Sequence, residues 1–169
     1  MSLKESIIAE LKHEAESTRK LLERVPSDKF DWKPHEKSMS LKSLATHIAN
    51  LSRFAGIIAS TPYLDFAEGG LIKPEINNTS DLIHELQTGI QTSIEALQSV
   101  TDEDLKQNWA LKNKGHVIFE LPKAVAIRNV GMNHIYHHRG QLSVYLRLLD
   151  VKIPGMYGPS NDEMAQAGF

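Results

Sequence analysis

The chain has 169 residues, 41% of them hydrophobic and 24% charged, with 19 basic and 21 acidic side chains and a net charge of −2. That composition fits a single soluble domain over residues 1–169, without the basic excess of a nucleic-acid binder or a membrane-surface protein. Cysteine is absent, which excludes disulfides and thiolate ligands and leaves nitrogen and oxygen to hold any metal. No stretch approaches the ~18 apolar residues of a membrane span. The N-terminus lacks a signal-peptide core, so the expected compartment is the cytoplasm.

From Leu3 to Val25, apolar residues recur at Leu3, Ile7, Leu11, Ala15, Thr18 and Leu22, the period of a helix that Pro26-Ser27 stops. Residues 26–39 hold no sustained period and read as a loop partly pinned by Trp32. Ser40 then caps a second helix to about Ser60, with Leu41, Leu44, Ile48, Leu51, Ala55 and Ile58 as its stripe. His47 lies inside that stripe. Residues 61–79 carry Pro62, Gly69, Gly70, Pro74 and Asn77-Asn78, a long connection of the kind that forms lids and pocket walls. Ser80 or Thr79 caps a third helix to about Val100, with Leu82, Leu86, Ile90, Ile94 and Leu97 in register. Trp109 and Leu111, then Val117 and Phe119, flank Asn113-Lys114-Gly115 and suggest a short hairpin. Pro122 opens a fourth helix through Ile127, Val130, His134, His138, Leu142, Tyr145 and Leu149. The expected fold is therefore all-α, a four-helix bundle with a long loop between helices two and three and a hairpin before helix four.

Histidine on an apolar face needs a reason. His134 and His138, four residues apart on one helix, project from the same side, and His47 supplies a third imidazole from another helix. Three neutral imidazoles leave a coordination position open, as catalytic metal sites do. The plainer reading is a set of hydrogen-bonded core histidines, and His-x-x-x-His recurs by chance among eight histidines. His137 lies about 100° round the helix from His138 and is assigned to the rim. His13, His35, His84 and His116 sit among polar neighbours and read as surface residues. Gly131 and Gly140 suggest close helix approach beside the site. Arg139 and Gln141 read either as surface residues or as supports for the ligands. Glu14 and Glu16 read as a solvated face, and Asp102, Glu103 and Asp104 as solvated or helix-start acids.

The run Asn133-His-Ile-Tyr-His-His-Arg-Gly-Gln141, its continuation to Leu149 and the Pro154-Gly-Met-Tyr-Gly-Pro-Ser160 tail closely resemble the DinB family, including its YfiT-like metalloenzymes. Ser40-Leu-Lys-Ser-Leu-Ala-Thr-His47 resembles that family's first histidine segment. The resemblance implies a divalent ion, zinc or nickel, held by His47, His134 and His138 with water, and frequent homodimerisation. It also implies small-molecule rather than nucleic-acid chemistry, since relatives include mycothiol-dependent maleylpyruvate isomerase and bacillithiol S-transferases. The leading expectation is a transferase that activates a low-molecular-weight thiol as cosubstrate at the metal. The alternatives are a hydrolase using metal-activated water, with Asp65, Glu68, Asp162 or Glu163 as candidate bases, and a non-catalytic metal- or ligand-binding stress protein.

Overall fold

The computed structural model describes residues 1–69 and 73–167. Four long helical runs form the body, as the periodicity requires: α1 (Leu3–Leu22), α2 (Leu41–Leu51) continued by α3 (Phe54–Ser60), α4 (Thr79–Ser99), and α5 (Lys123–Ala126) leading to α6 (Asn133–Leu148). A short α7 (Asn161–Ala167) ends the described chain. The starts are chemically marked. Ser2 and Glu5 form a reciprocal box at α1, and Ser40 accepts from the Ser43 N–H at α2. At α4 the cap is Asn78, boxed with Asp81, one residue before the expected Thr79 or Ser80. Asp102 is a helix-start acid for a distant helix, accepting the Leu3 and Lys4 N–H groups at 2.8 and 2.9 Å. Phe30 and Trp32 do the same through their carbonyls, which take the Lys42 and Leu41 N–H groups.

The all-α expectation is corrected. Three strands, β1 (Tyr63–Asp65), β2 (Asn108–Asn113) and β3 (His116–Pro122), form a sheet in the order β1-β2-β3. The predicted hairpin is β2–β3, closed by Lys114 and Gly115 at φ 51° and 78°, the backbone of a primed turn. The parallel partner β1 comes from within the 61–79 connection, which is thus partly sheet; Gly70 lies outside the described residues. Asp65 joins these pieces by accepting the Ala67, Lys114 and Gly115 N–H groups at 2.9, 2.9 and 2.7 Å. Those backbone donors hold its carboxyl below the usual range. Trp109 on β2 is fully buried and its indole N–H donates to Thr61 Oγ1. Among the described residues no helix is long and apolar enough to cross a membrane.

The second helical run breaks at Ser52-Arg53, where α4 lies closest. Ser93 Oγ donates to the Ser52 carbonyl at 2.7 Å and accepts the Gly56 N–H at 3.0 Å, which repairs the interrupted ladder. A Cβ on Gly89 would meet Ser52 Oγ at 1.9 Å and Arg53 Cγ at 2.9 Å. Gly89→Ala is therefore expected to destabilise by about 1–3 kcal/mol despite alanine's better helix propensity, read as a lower Tm.

Between α5 and α6 the helix does not stop. Residues Ile127–Met132 wind as a π-helix, with helical φ and ψ at both joints. A π turn inserts one extra residue, so it advances the inward face by one position. Even α spacing from Ile127 selects His134, Tyr145 and Leu149. The buried positions are Gly131, Met132, Ile135, His138, Arg139, Leu142 and Leu146, of which His138 and Leu142 lie on the expected stripe. His134 is left half-buried at the edge of that face, looking across to α2.

Candidate metal centre

α2 packs against α6, and its apolar face sets His47 over the groove between them. His47 Nε2 lies 3.4 Å from His134 Nε2. The ring centroids are 5.0 Å apart for His47–His134, 4.6 Å for His47–His138 and 4.7 Å for His134–His138. One ligand nitrogen from each ring falls within 4.8 Å of the others. The three histidines singled out from the sequence therefore meet, although 87 residues separate His47 from His134.

The donor set fits a divalent cation. Two nitrogens at ~2.0–2.1 Å from a tetrahedral ion sit ~3.3–3.4 Å apart, the spacing of His47 and His134. Electrostatics favour the neutral ligand form. Burial, then the neighbouring His138 and His134 rings, pushes His47 down to about 4. His134 is lowered too, mainly by burial and then by His138, against an opposing hydrogen bond to the Val130 carbonyl. Because the folded value of His47 lies below its ordinary 6.5, the unfolded chain binds the extra proton first. Metal-free protein should thus keep its full stability above pH 6.5 and lose it progressively as the pH falls towards about 4. His47→Gln should flatten that part of a Tm-against-pH curve.

Gln141 orients the buried ligand. Its Oε1 lies 2.7 Å from His138 Nδ1, and an amide oxygen only accepts, so Nδ1 carries the proton and Nε2 is free to ligate. Its Nε2 lies 3.1 Å from His137 Nε2, which places His137 on the exposed rim as expected. Gln141→Leu should weaken metal binding about 10–100-fold while leaving the helical circular dichroism unchanged.

Other expectations need correction. Arg139 is not at the surface, and its hydrogen bonds go to Glu14, Thr18 and Tyr157 rather than to the ligand histidines. It is 3% exposed and bonds Glu14 Oε2 at 2.6 Å, so Glu14 is a buried partner rather than part of a solvated face. Gly140 would meet nothing within 4 Å if it carried a Cβ, and Gly131 only ordinary contacts, so close helix approach explains neither. The candidate bases are largely engaged elsewhere: Asp65 in the β-turn, Asp162 with Arg147 and the Ile153 N–H, Glu163 with the Gly155 and Ser160 N–H groups. The sequence reading missed Glu75, which lines a groove of about 550 Å³ that includes His47. Nothing in its local pattern marks it. His13, His35, His84 and His116 are exposed, as their polar surroundings suggested.

The DinB family model matches residues 1–168. The chain belongs to the DinB family. It is 26% identical over 160 residues to the uncharacterized protein YrdA of Bacillus subtilis, covering 92% of this chain and 89% of YrdA. It is 29% identical over 137 residues to YjoA of the same organism, covering 77% and 80%. The fold matches the crystal structure of a DinB-like protein from Bacillus cereus at TM-score 0.70 and 22% identity, over 90% of this chain and 97% of that one. The DinB-like YjoA structure matches at TM-score 0.69 and 21% identity, over 89% and 97%. Membership of the DinB family and a three-histidine cluster able to hold a metal thus coincide in this chain.

Proposed function

We propose that this protein is a metal-dependent enzyme whose divalent ion, zinc or nickel, is held by His47, His134 and His138, and that it transfers a low-molecular-weight thiol to a small electrophile. The observation that carries the reading is three converging imidazoles with no carboxylate in the ligand cluster among the described residues. When bound, such a cation acidifies a thiol or a water placed at its open position. The chain's own part is to hold the ligands neutral, to keep the proton on His138 Nδ1 through Gln141, and to seat the substrate beside His47. A thiol, once deprotonated, needs no further base, which suits a site built from nitrogen donors. The test is turnover of 1-chloro-2,4-dinitrobenzene by metal-loaded protein with bacillithiol, mycothiol or glutathione, using His47→Ala as control. Absence of metal-dependent conversion with every thiol overturns the transferase reading.

One observation favours hydrolysis as a second reading: Glu75 lines the same groove as His47 and offers a carboxylate for proton transfer. A screen of ester, amide and phosphate substrates, with Glu75→Gln as control, separates the two. A purely structural ion is distinguished by its removal. The core of the bundle is apolar and continuous without the histidines, so chelator-treated protein should keep its helical circular dichroism. Added Zn²⁺ should then raise Tm by mass action. Cytoplasmic residence, a small-molecule rather than nucleic-acid partner and a homodimer belong to this proposal; light scattering after gel filtration tests the last.

A further inference from the structure

α2 has two unlike sides. Its buried side is apolar, whereas Lys42, Thr46, His47 and Asn50 line the groove that the described segment 73–76 closes from the opposite wall. At about 550 Å³ the groove has the size of a small-molecule site. Lys42 from the helix and Lys73 from the facing segment line it, against one carboxylate, Glu75, and the Lys42 ammonium lies 5.8 Å from the Phe30 ring centroid. Among the described residues, neither ammonium lies in an ion pair, whereas Arg53 in the same part of the fold is matched by Glu85.

Thr46 supplies an independent pointer. The hydroxyls of Thr18, Thr88 and Thr92 each donate to the carbonyl four residues back, the usual resting bond of a helical threonine. Thr46 Oγ1 is buried and has no partner. An orphaned hydroxyl is costly unless something else completes it, and this one adjoins His47 in the groove wall. A hydroxyl with a proton to give, in a groove also lined by Lys42 and Lys73, suits an anionic oxygen once its side chain turns toward the groove.

We infer that this groove receives the anionic end of the substrate, a carboxylate or a phosphate, on Lys42, Thr46 and Lys73, with the reactive end directed at His47. The inference rests on the proposed reading that the histidine cluster is the reactive centre, and it narrows the substrate class to small oxyanion-bearing molecules.

The test uses the full chain, metal-loaded and metal-free, and calorimetric titration with four probes: mercaptosuccinate, the neutral thiol 1-thioglycerol, succinate and inorganic phosphate. Mercaptosuccinate should bind the loaded protein at least about tenfold more tightly than 1-thioglycerol. Lys42→Gln, Lys73→Gln and Thr46→Val should each remove most of that advantage while leaving 1-thioglycerol affinity and metal content unchanged. Amide shifts at Thr46 and Asn50 should follow the anion. Equal affinity for the charged and neutral thiols, or an advantage that survives all three substitutions, overturns the inference. Stoichiometric metal uptake with no preference for anions sinks the groove assignment alone. Succinate or phosphate that binds metal-free protein and is lost in the lysine variants upholds the groove even if the metal reading fails. Whichever of those two binds more tightly identifies the anion.

Discussion

His138→Ala is expected to abolish stoichiometric binding of Zn²⁺ or Ni²⁺, and His137→Ala to retain it within about tenfold. The two residues are adjacent, both are imidazoles, and their ring centroids lie 4.9 Å apart, so composition and proximity cannot distinguish them. Orientation does. His138 is buried against α2, with Nδ1 tied to Gln141 and Nε2 left for the ion, whereas His137 is exposed and its Nε2 lies on the far side of the same glutamine. Losing a ligand should exceed the ~10–100-fold that an outer partner costs, and His137 is one step further out than Gln141. Elemental analysis and competition titration of untagged protein measure both. Equal loss from the two variants, or from neither, would show that the helix face has been assigned wrongly.

The second large effect is one of stability. Arg139→Ala should cost about 3–5 kcal/mol, because it strands the buried Glu14 carboxylate without a cation. Arg139 also donates to the Glu14 carbonyl at 3.2 Å and to the Tyr157 hydroxyl at 2.6 Å, so one guanidinium ties α6 to α1 and to the C-terminal tail. For a domain of this size the loss corresponds to a Tm fall of roughly 6–20 °C. Removing both charges with Glu14→Leu and Arg139→Met should cost less than Arg139→Ala, since no charge is then left unpaired. Tyr157→Phe removes two bonds to charge, the one accepted from Arg139 and the one donated to Glu14 Oε2 at 2.9 Å, and should cost roughly 1.5–3 kcal/mol. Chemical denaturation of the four proteins measures these differences. Folded Arg139→Met protein should keep its metal affinity, which would separate the ion pair from the metal centre; a parallel loss would contradict that separation.

How much of this was legible can be traced residue by residue. The local signals held: helical periods, the Ser40 cap, a primed turn at Lys114-Gly115, and three histidines on apolar segments of two helices. Each depends on neighbours within a few positions, where chain geometry fixes what faces what. Arg139 failed to show because one extra residue in the Ile127–Met132 turn advances the buried face, and a π turn leaves no periodic mark until its register is seen. The carboxylates of Glu14 and Asp65 were misassigned for another reason: each is buried against donors distant in the chain, so from the sequence Glu14 is a surface acid and Asp65 a candidate base.

The order of amphipathic helices, the lack of thiolate ligands and the choice of imidazole as donor are properties of the sequence, since they follow from residue type and short-range spacing alone. Packing decided the rest. The β1 strand gained a parallel partner in β2, His47 met His134, and Arg139 paired with Glu14. These are contacts between segments tens of residues apart, and their geometry exists only after the apolar faces have closed on one another.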